Sequence, residues 1–259
     1  MGSIWSIPVL KQARRSDLLN DLFRIGYGRH WGCFETRAAA VAFLTGRPRA
    51  EYDDDEIVQI NLEKFKEVQA FDWPVMFFME RLIKDGALAT MTDFGGHVGV
   101  KYYAYANYLT YPEGFRWQVV DVPAVCREGV GQRPGWASAL SFHETIDETA
   151  PCDLLLCSGS LQYVELSLKQ IVAQCARAPR TIILNKVALS RSGGFFTLES
   201  FGRGRMPYRV FGEDELAEAR SSLGYALQAR WDIPDRNFVV PSRHGTRSVS
   251  VVGEAWVRR

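Results

Sequence analysis

Ala87-Leu88-Ala89-Thr90-Met91-Thr92-Asp93-Phe94-Gly95-Gly96-His97-Val98-Gly99 is the stretch on which the reading of this chain turns. A strand-like run climbs to an acid, breaks at two adjacent glycines and meets a third at Gly99. Val100-Lys101-Tyr102-Tyr103-Ala104-Tyr105-Ala106 follows as a helix with no proline to stop it. A strand, a glycine-rich turn and a helix in that order form a ligand-binding βα corner. Glycine lets the backbone approach a ligand closely, and the start of a helix offers N–H donors to an anion.

Downstream of the corner the pattern alternates between strand and helix. Trp117-Gln118-Val119-Val120-Asp121 reads as a second strand ending in an acid, and Ala139 to Phe142 as a short third. Cys152 to Cys157 is almost wholly apolar, as strands buried on both faces usually are, and it runs into Ser158-Gly159-Ser160. Val164 to Arg177 has apolar residues at helical spacing, and Arg180 to Asn185 is a fifth strand. Ser190 to Arg209 reads as a loop rich in glycine and arginine, and Glu213 to Ser222 as a helix. Tyr225 to Trp231 and Ser248 to Val252 alternate with the period of two expected of antiparallel strands.

Upstream, Lys11 to Gly46 reads as helices around a glycine-punctuated aromatic loop, Gly26 to Gly32. Further helices are expected over 60–70 and over Trp73 to Lys84, the last ending at Asp85-Gly86. Residues 1–86 therefore read as a helical cap, and 87–259 as the domain built on the corner.

The chain has 259 residues, is 47% hydrophobic and carries a formal net charge of +1, which speaks for a globular protein and against a nucleic-acid binder. No apolar run approaches the roughly 20 residues a membrane helix needs. Met1-Gly2-Ser3-Ile4-Trp5-Ser6 is too short for a signal peptide, although it fits the loose myristoylation pattern. The five cysteines show no C-x-x-C spacing and read as reduced thiols of a cytoplasmic protein. The four scattered histidines offer no close ligand pair, so no metal is expected.

Glycine spacing separates the two cofactor classes that use such a corner. The dinucleotide fingerprint G-x-G-x-x-G, started at Gly95, would need glycine at the positions of His97 and Val100. Started at Gly96, it fails at Val98 and Lys101. A diphosphate would meet side chains where it needs bare backbone. The corner fits better the acid-x-G-x-G-x-G form that binds S-adenosylmethionine (SAM), with His97 in place of the middle glycine. Asp121 follows the turn by about twenty residues, where a carboxylate accepts from both ribose hydroxyls. The strand inventory is that of a Rossmann-like α/β sheet of seven strands closed by an antiparallel one.

Asp93-Phe94-Gly95-Gly96, Tyr102-Tyr103, Leu140-Ser141-Phe142, Ser158-Gly159-Ser160-Leu161-Gln162-Tyr163 and Pro207-Tyr208-Arg209-Val210-Phe211 occur in this order. Together they resemble a family of SAM-dependent methyltransferases, many found with surface-polysaccharide or small-molecule biosynthesis genes. The resemblance spans about Phe34 to Trp231. It implies the class I methyltransferase fold, SAM as cofactor and methyl transfer, with little about the acceptor. His97 departs from the commoner family glycine, and Asn185-Lys186 from an acid-plus-arginine pair.

In open α/β sheets the ligand lies beyond the carboxyl ends of the strands. That assigns Asp93, Gly95, Gly96 and Gly99 to the methionine end of the cofactor and Asp121 to its ribose. Ser141 and Phe142 go to the adenine, with Ser158 and Gly159 flanking the cofactor. Gln162, Tyr163, Asn185 and Lys186 form the substrate wall, and Tyr208 and Arg209 are candidates for an acidic substrate. His30, His97 and Tyr163 are the candidate catalytic side chains. Each has a plainer reading: Phe142 and Tyr163 as packing, His97 as a turn residue, Arg209 as solvated. The leading function is methyl transfer to oxygen or nitrogen of a small metabolite or sugar. A SAM-binding module without catalysis and, less favoured, an NAD-dependent oxidoreductase are the alternatives. Oligomeric state stays open, a homodimer included.

Overall fold

The computed structural model describes residues 29–45, 67–201 and 204–259. The helical readings over 11–28 and 60–66 and the N-terminal glycine lie outside them. The elements, in chain order, are β1 (His30–Phe34), α1 (Arg37–Phe43), α2 (Trp73–Lys84), β2 (Thr90–Phe94), α3 (Val100–Tyr105), β3 (Arg116–Val120) and α4 (Pro123–Gln132). They continue with β4 (Leu140–His143), β5 (Leu154–Ser158), α5 (Leu168–Gln174), β6 (Thr181–Ser190), β7 (Phe195–Phe201) and β8 (Gly204–Gly212). The last are α6 (Glu213–Ser222), β9 (Tyr225–Asp232), β10 (Phe238–Ser242) and β11 (Gly245–Arg258). The described residues divide into two units, a larger one of 67–187, 216–233 and 252–259 and a smaller one of the rest.

The larger unit is a sheet in the order β4-β3-β2-β5-β6-β11-β9. Strands β2 to β6 pair in parallel, and β9 is antiparallel to β11. Every residue of β2 is buried, and β5 is buried through Cys157, because helices cover both faces of a parallel sheet. Helix α2 has Pro74 in its first turn and Arg81 and Lys84 in its last, which suits the helix dipole. Its face of Val75, Met76 and Met79 joins Tyr102 and Tyr105 of α3 in the core around Met91, Leu154 and Leu156. Trp117, fully buried, anchors that core, ringed by Tyr102, Tyr105, Tyr111 and Phe115. Helix α5 opens on a capping box, the Ser167 hydroxyl accepting from the Gln170 amide at 3.3 Å.

In the smaller unit β7 and β8 form an antiparallel hairpin, with β1 antiparallel to β7. Strands β10 and β11 form a second hairpin, Phe238 opposite Val249 and Ser242 opposite Gly245. Thr36 caps α1 by accepting from the Ala39 amide at 3.1 Å, and Trp31, Ala40, Leu44 and Leu198 make a small core.

Two sequence readings are corrected here. Ser190 to Arg209 is not a loop: it carries the end of β6, all of β7 and most of β8. Pro207, inside β8 opposite Leu198, and Gly193-Gly194 just before β7 hide the hairpin from a pattern search. His30–Phe34, read as aromatic loop running towards a helix, is a strand. Its Gly32 sits at φ +82° and its register with β7 slips between Trp31 and Phe34, which breaks the expected alternation. The five cysteines are all free thiols. Among the described residues no helix is long and apolar enough to cross a membrane.

Candidate functional site

The corner forms as the sequence predicts, at the carboxyl ends of β2 and β3. The Gly95 amide donates to the Val120 carbonyl at 2.8 Å, tying the end of one strand to its neighbour. Gly95 and Gly99 hold φ of +72° and +79°, in the left-handed region that glycine enters without strain. All three glycines also clear space for other protein atoms. A Cβ on Gly95 would lie 2.3 Å from Ser160 Cβ, one on Gly96 2.6 Å from Asp93 Oδ2, and one on Gly99 2.7 Å from a Leu140 methyl. Ser160 closes the turn from the β5 side by donating its hydroxyl to the Phe94 carbonyl at 2.6 Å.

His97, at the middle glycine position of the acid-x-G-x-G-x-G pattern, takes the left-handed conformation at φ +55°. That conformation aims its backbone amide at Asp121, whose Oδ2 accepts it at 2.8 Å. Oδ1 of Asp121 accepts the Val122 amide, also at 2.8 Å. The carboxylate is half-buried: burial raises its pKa, and the two amides pull it back. Each oxygen keeps a second lone pair for a further donor. Burial lowers the pKa of the His97 imidazole, so the ring is neutral at pH 7.

Asp93 is 1% exposed beneath Gly96 and accepts the Trp117 Nε1–H at 3.2 Å. Burial raises its pKa to about 7, with the Asp121 charge adding to the rise. The Trp117 hydrogen bond and the charges of Lys101 and Lys186 oppose it.

At the next strand ends, Gly159 turns at φ +77° and donates to the Asn185 carbonyl at 2.8 Å. Asn185 is fully buried and occupied at both ends: its Oδ1 accepts Trp231 Nε1–H at 3.2 Å and its Nδ2 donates to Ser158 Oγ at 3.3 Å. Lys186 is left-handed at φ +57°, with its ammonium 5.2 Å from the centre of the Phe71 ring. The Gln162 side chain donates to the Lys186 carbonyl. Tyr163, next to the helix expected over Val164 to Arg177, sits half-buried in a turn, and α5 begins only at Leu168. On β4 the Ser141 hydroxyl lies 3.0 Å from the His143 ring, and Phe142 packs where Gly129 of α4 leaves room for it. A groove of about 480 Å³ is lined by Phe142, His143 and Cys126 among others, and by none of the turn residues.

One group the sequence reading missed sits beside these. Asp72, fully buried, accepts Lys101 Nζ at 2.6 Å and the Tyr105 hydroxyl at 2.9 Å, and it also takes the Gln69 amide at 2.9 Å. Lys101 lies 5.5 Å from the same Phe71 ring as Lys186. A lysine in the otherwise apolar helix Val100–Tyr105 was the available signal, since such a charge is buried only with a partner. Nothing in the sequence pointed to Asp72 as that partner.

The structure brings Asp93, Gly95, Gly96, His97, Gly99, Asp121, Ser141, Phe142, Ser158, Gly159, Gln162, Tyr163, Asn185 and Lys186 together at one end of the larger sheet. His30, Tyr208 and Arg209 belong to the smaller unit. There the His30 ring stacks on Phe238 at 4.1 Å and meets the edge of Tyr208 at 5.2 Å. Its Nε2 is 3.8 Å from Glu199, and burial with the nearby Arg29 charge lowers its pKa to about 3. Arg209 donates to the Glu215 carboxylate and lies 4.7 Å from the Phe211 ring centre.

The sheet order, the parallel pairing and the closing antiparallel strand are those of the Rossmann-like class I methyltransferase fold. No protein-family model matches the chain, and no curated protein does. Among solved structures it is similar to the 1,6-didemethyltoxoflavin-N1-methyltransferase of Burkholderia thailandensis, at 19% identity over 73% of this chain and 79% of that one, with a TM-score of 0.47. It is also similar to a protein of Pyrococcus horikoshii, at 14% identity over 75% and 93% of the two chains, TM-score 0.48. A S-adenosylmethionine-dependent methyltransferase of Clostridium acetobutylicum is similar at 10% identity over 78% and 95%, TM-score 0.43. At these identities the activity of each stays with that protein.

Proposed function

We propose that this chain is a SAM-dependent methyltransferase acting on an oxygen or nitrogen of a small metabolite or sugar. The observation that carries this is the Asp121 carboxylate, held by the His97 and Val122 amides at the end of β3, beside the glycine turn that ends β2. Two fixed amides orient the carboxylate, and its remaining lone pairs suit the paired hydroxyls of a ribose. The donor set also fits the rest of SAM. Asp93 offers a carboxylate near a cationic amino group, Gly95, Gly96 and Gly99 a compact turn, and Ser158 and Gly159 a polar flank. Ser141 and Phe142 are proposed for the adenine side.

SAM supplies an electrophilic methyl group, so the protein's task is to align a nucleophile behind it and to exclude water. Gln162, Tyr163 and Lys186 are proposed as the acceptor's wall, with Asn185 holding that wall in place through Trp231 and Ser158. The neutral His97 imidazole is proposed to take the proton when the acceptor must lose one.

Calorimetry with SAM and its demethylated product, S-adenosylhomocysteine, tests the reading. Binding of both, weakened at least tenfold in Asp121→Ala, supports it. No binding, or binding indifferent to that substitution, overturns it. One observation favours a second reading, a SAM-binding module without catalysis. His30, the first candidate base in the chain, is buried in the smaller unit and is a weak base there. Tight binding without any methylated product across a broad acceptor panel would select that reading.

A further inference from the structure

We propose that the larger unit carries a second ligand site, for a phosphate-bearing anion, in the recess formed by Arg177, Arg180 and Arg258. The recess has a volume of about 340 Å³ and is lined by these three arginines with Asp153 and Ala178. It lies at the amino ends of β5 and β6, whereas Ser158 stands at the carboxyl end of β5 with Asn185 of β6 paired beside it. Five residues of β5 at about 3.3 Å each put roughly 16 Å of strand between the two sites.

Its charge balance points to an anion. Asp153 is the one carboxylate in the lining, and it is already committed. Its Oδ2 accepts the Ala89 and Thr90 amides at 3.0 and 3.1 Å, and its Oδ1 accepts Arg177 at 3.2 Å. Among the described residues, the Arg180 and Arg258 guanidiniums have no carboxylate partner. The backbone nevertheless holds these two cations side by side, the Arg258 amide donating to the Arg180 carbonyl at 2.9 Å. Like charges on neighbouring strands repel, and an anion between them turns that repulsion into attraction. The floor is firm: the Tyr225 hydroxyl donates to the Pro179 carbonyl at 2.6 Å, and the Thr181 amide to the Asp153 carbonyl at 3.0 Å.

Guanidinium forks match phosphate oxygens in pairs, which makes phosphate a better fit than a lone carboxylate. The volume is at the small end for a ligand pocket, and the lining has no aromatic face for a base. The recognised group is therefore the phosphate itself. With a net charge of only +1 on the whole chain, the attraction is local to the recess and not a property of the whole surface.

Pyrophosphate titrated into the full chain at constant ionic strength, followed by calorimetry, tests this. Saturable binding of one equivalent, weakened at least tenfold in the Arg180→Gln/Arg258→Gln double variant and unchanged in Asp121→Ala, supports the site. Both arginines are exposed, so an unchanged melting temperature of the double variant shows that folding is not the cause of any loss. Sedimentation with vesicles containing phosphatidic acid separates the sources. Capture by vesicles at pyrophosphate-competable sites assigns a lipid headgroup, and pyrophosphate binding without capture assigns a soluble phosphate. Absence of saturable binding to either, or binding that the double variant leaves intact, overturns the proposal. None of these readouts depends on SAM.

Discussion

Asp93→Asn should make this protein more stable at pH 8, and the size of the gain follows from where Asp93 lies. The carboxyl is fully enclosed beneath Gly96, and burial moves its pKa from 3.8 to about 7. Because the folded value is the higher one, the folded state holds a proton that the unfolded chain gives up. The stability this group contributes is complete below about pH 3.8, declines as pH rises and is lost above about pH 7. At ~1.4 kcal/mol per pH unit, the loss across that window is about 4 kcal/mol. Asparagine keeps the shape and an oxygen to accept the Trp117 Nε1–H, and it never ionises. The variant should match the native protein near pH 4 and exceed it by about 4 kcal/mol at pH 8. For a chain of this size that is roughly 8–16 °C in melting temperature. Urea unfolding of both proteins at several pH values between 4 and 8 measures the difference directly. A variant less stable than the native protein at pH 8 would refute the reasoning, because the charges of Lys101 and Lys186 would then outweigh desolvation. A gain at pH 8 together with weaker SAM binding is the pattern of a carboxylate retained for function at the expense of stability.

Three further outcomes are expected from the same region. Asp72→Asn and Lys101→Met should each destabilise by about 3–5 kcal/mol, since each leaves a buried partner behind. Their combination should cost clearly less than the two together, and strictly additive losses in urea unfolding would deny the coupling. Gly99→Ala should cost ~1–3 kcal/mol, because alanine is strained at φ +79° and its Cβ would meet Leu140 at 2.7 Å. His97→Gly, by contrast, should fold at least as well as the native protein and keep its affinity for SAM, since only the amide reaches Asp121. Affinity lost as severely as in Asp121→Ala would show instead that the imidazole itself holds the cofactor.

The parallel strands were legible because a sheet covered on both faces needs continuous apolar runs, and Leu154-Leu155-Leu156-Cys157 is one. Helix α2 matched its expected bounds, Trp73 to Lys84, because Pro74 and Asp85-Gly86 mark its ends locally. Strands β7 and β8 were not legible: Phe195 and the consecutive Thr197, Leu198 and Glu199 of β7 are all buried, so both faces are covered and no polar–apolar alternation shows, and Pro207 sits within β8. In the site, what is local in sequence could be read and what packing assembles could not. The turn and the spacing to Asp121 are local, while Lys101 meets Asp72 across 29 residues of chain.

The glycines themselves admit two causes. Clearance for a cofactor predicts them, but so does the space already taken by Ser160, Asp93 and Leu140. Asp121 separates the two causes better. A carboxylate serving packing alone is best fully enclosed, yet Asp121 stays partly exposed with both oxygens aimed by amides from two different segments. A left-handed histidine is an unfavourable way to place one of those amides, and it persists where the surrounding turn leaves no other conformation. The strain at His97 therefore bears on the orientation of Asp121, and the paired contrast of His97→Gly with Asp121→Ala addresses that orientation directly.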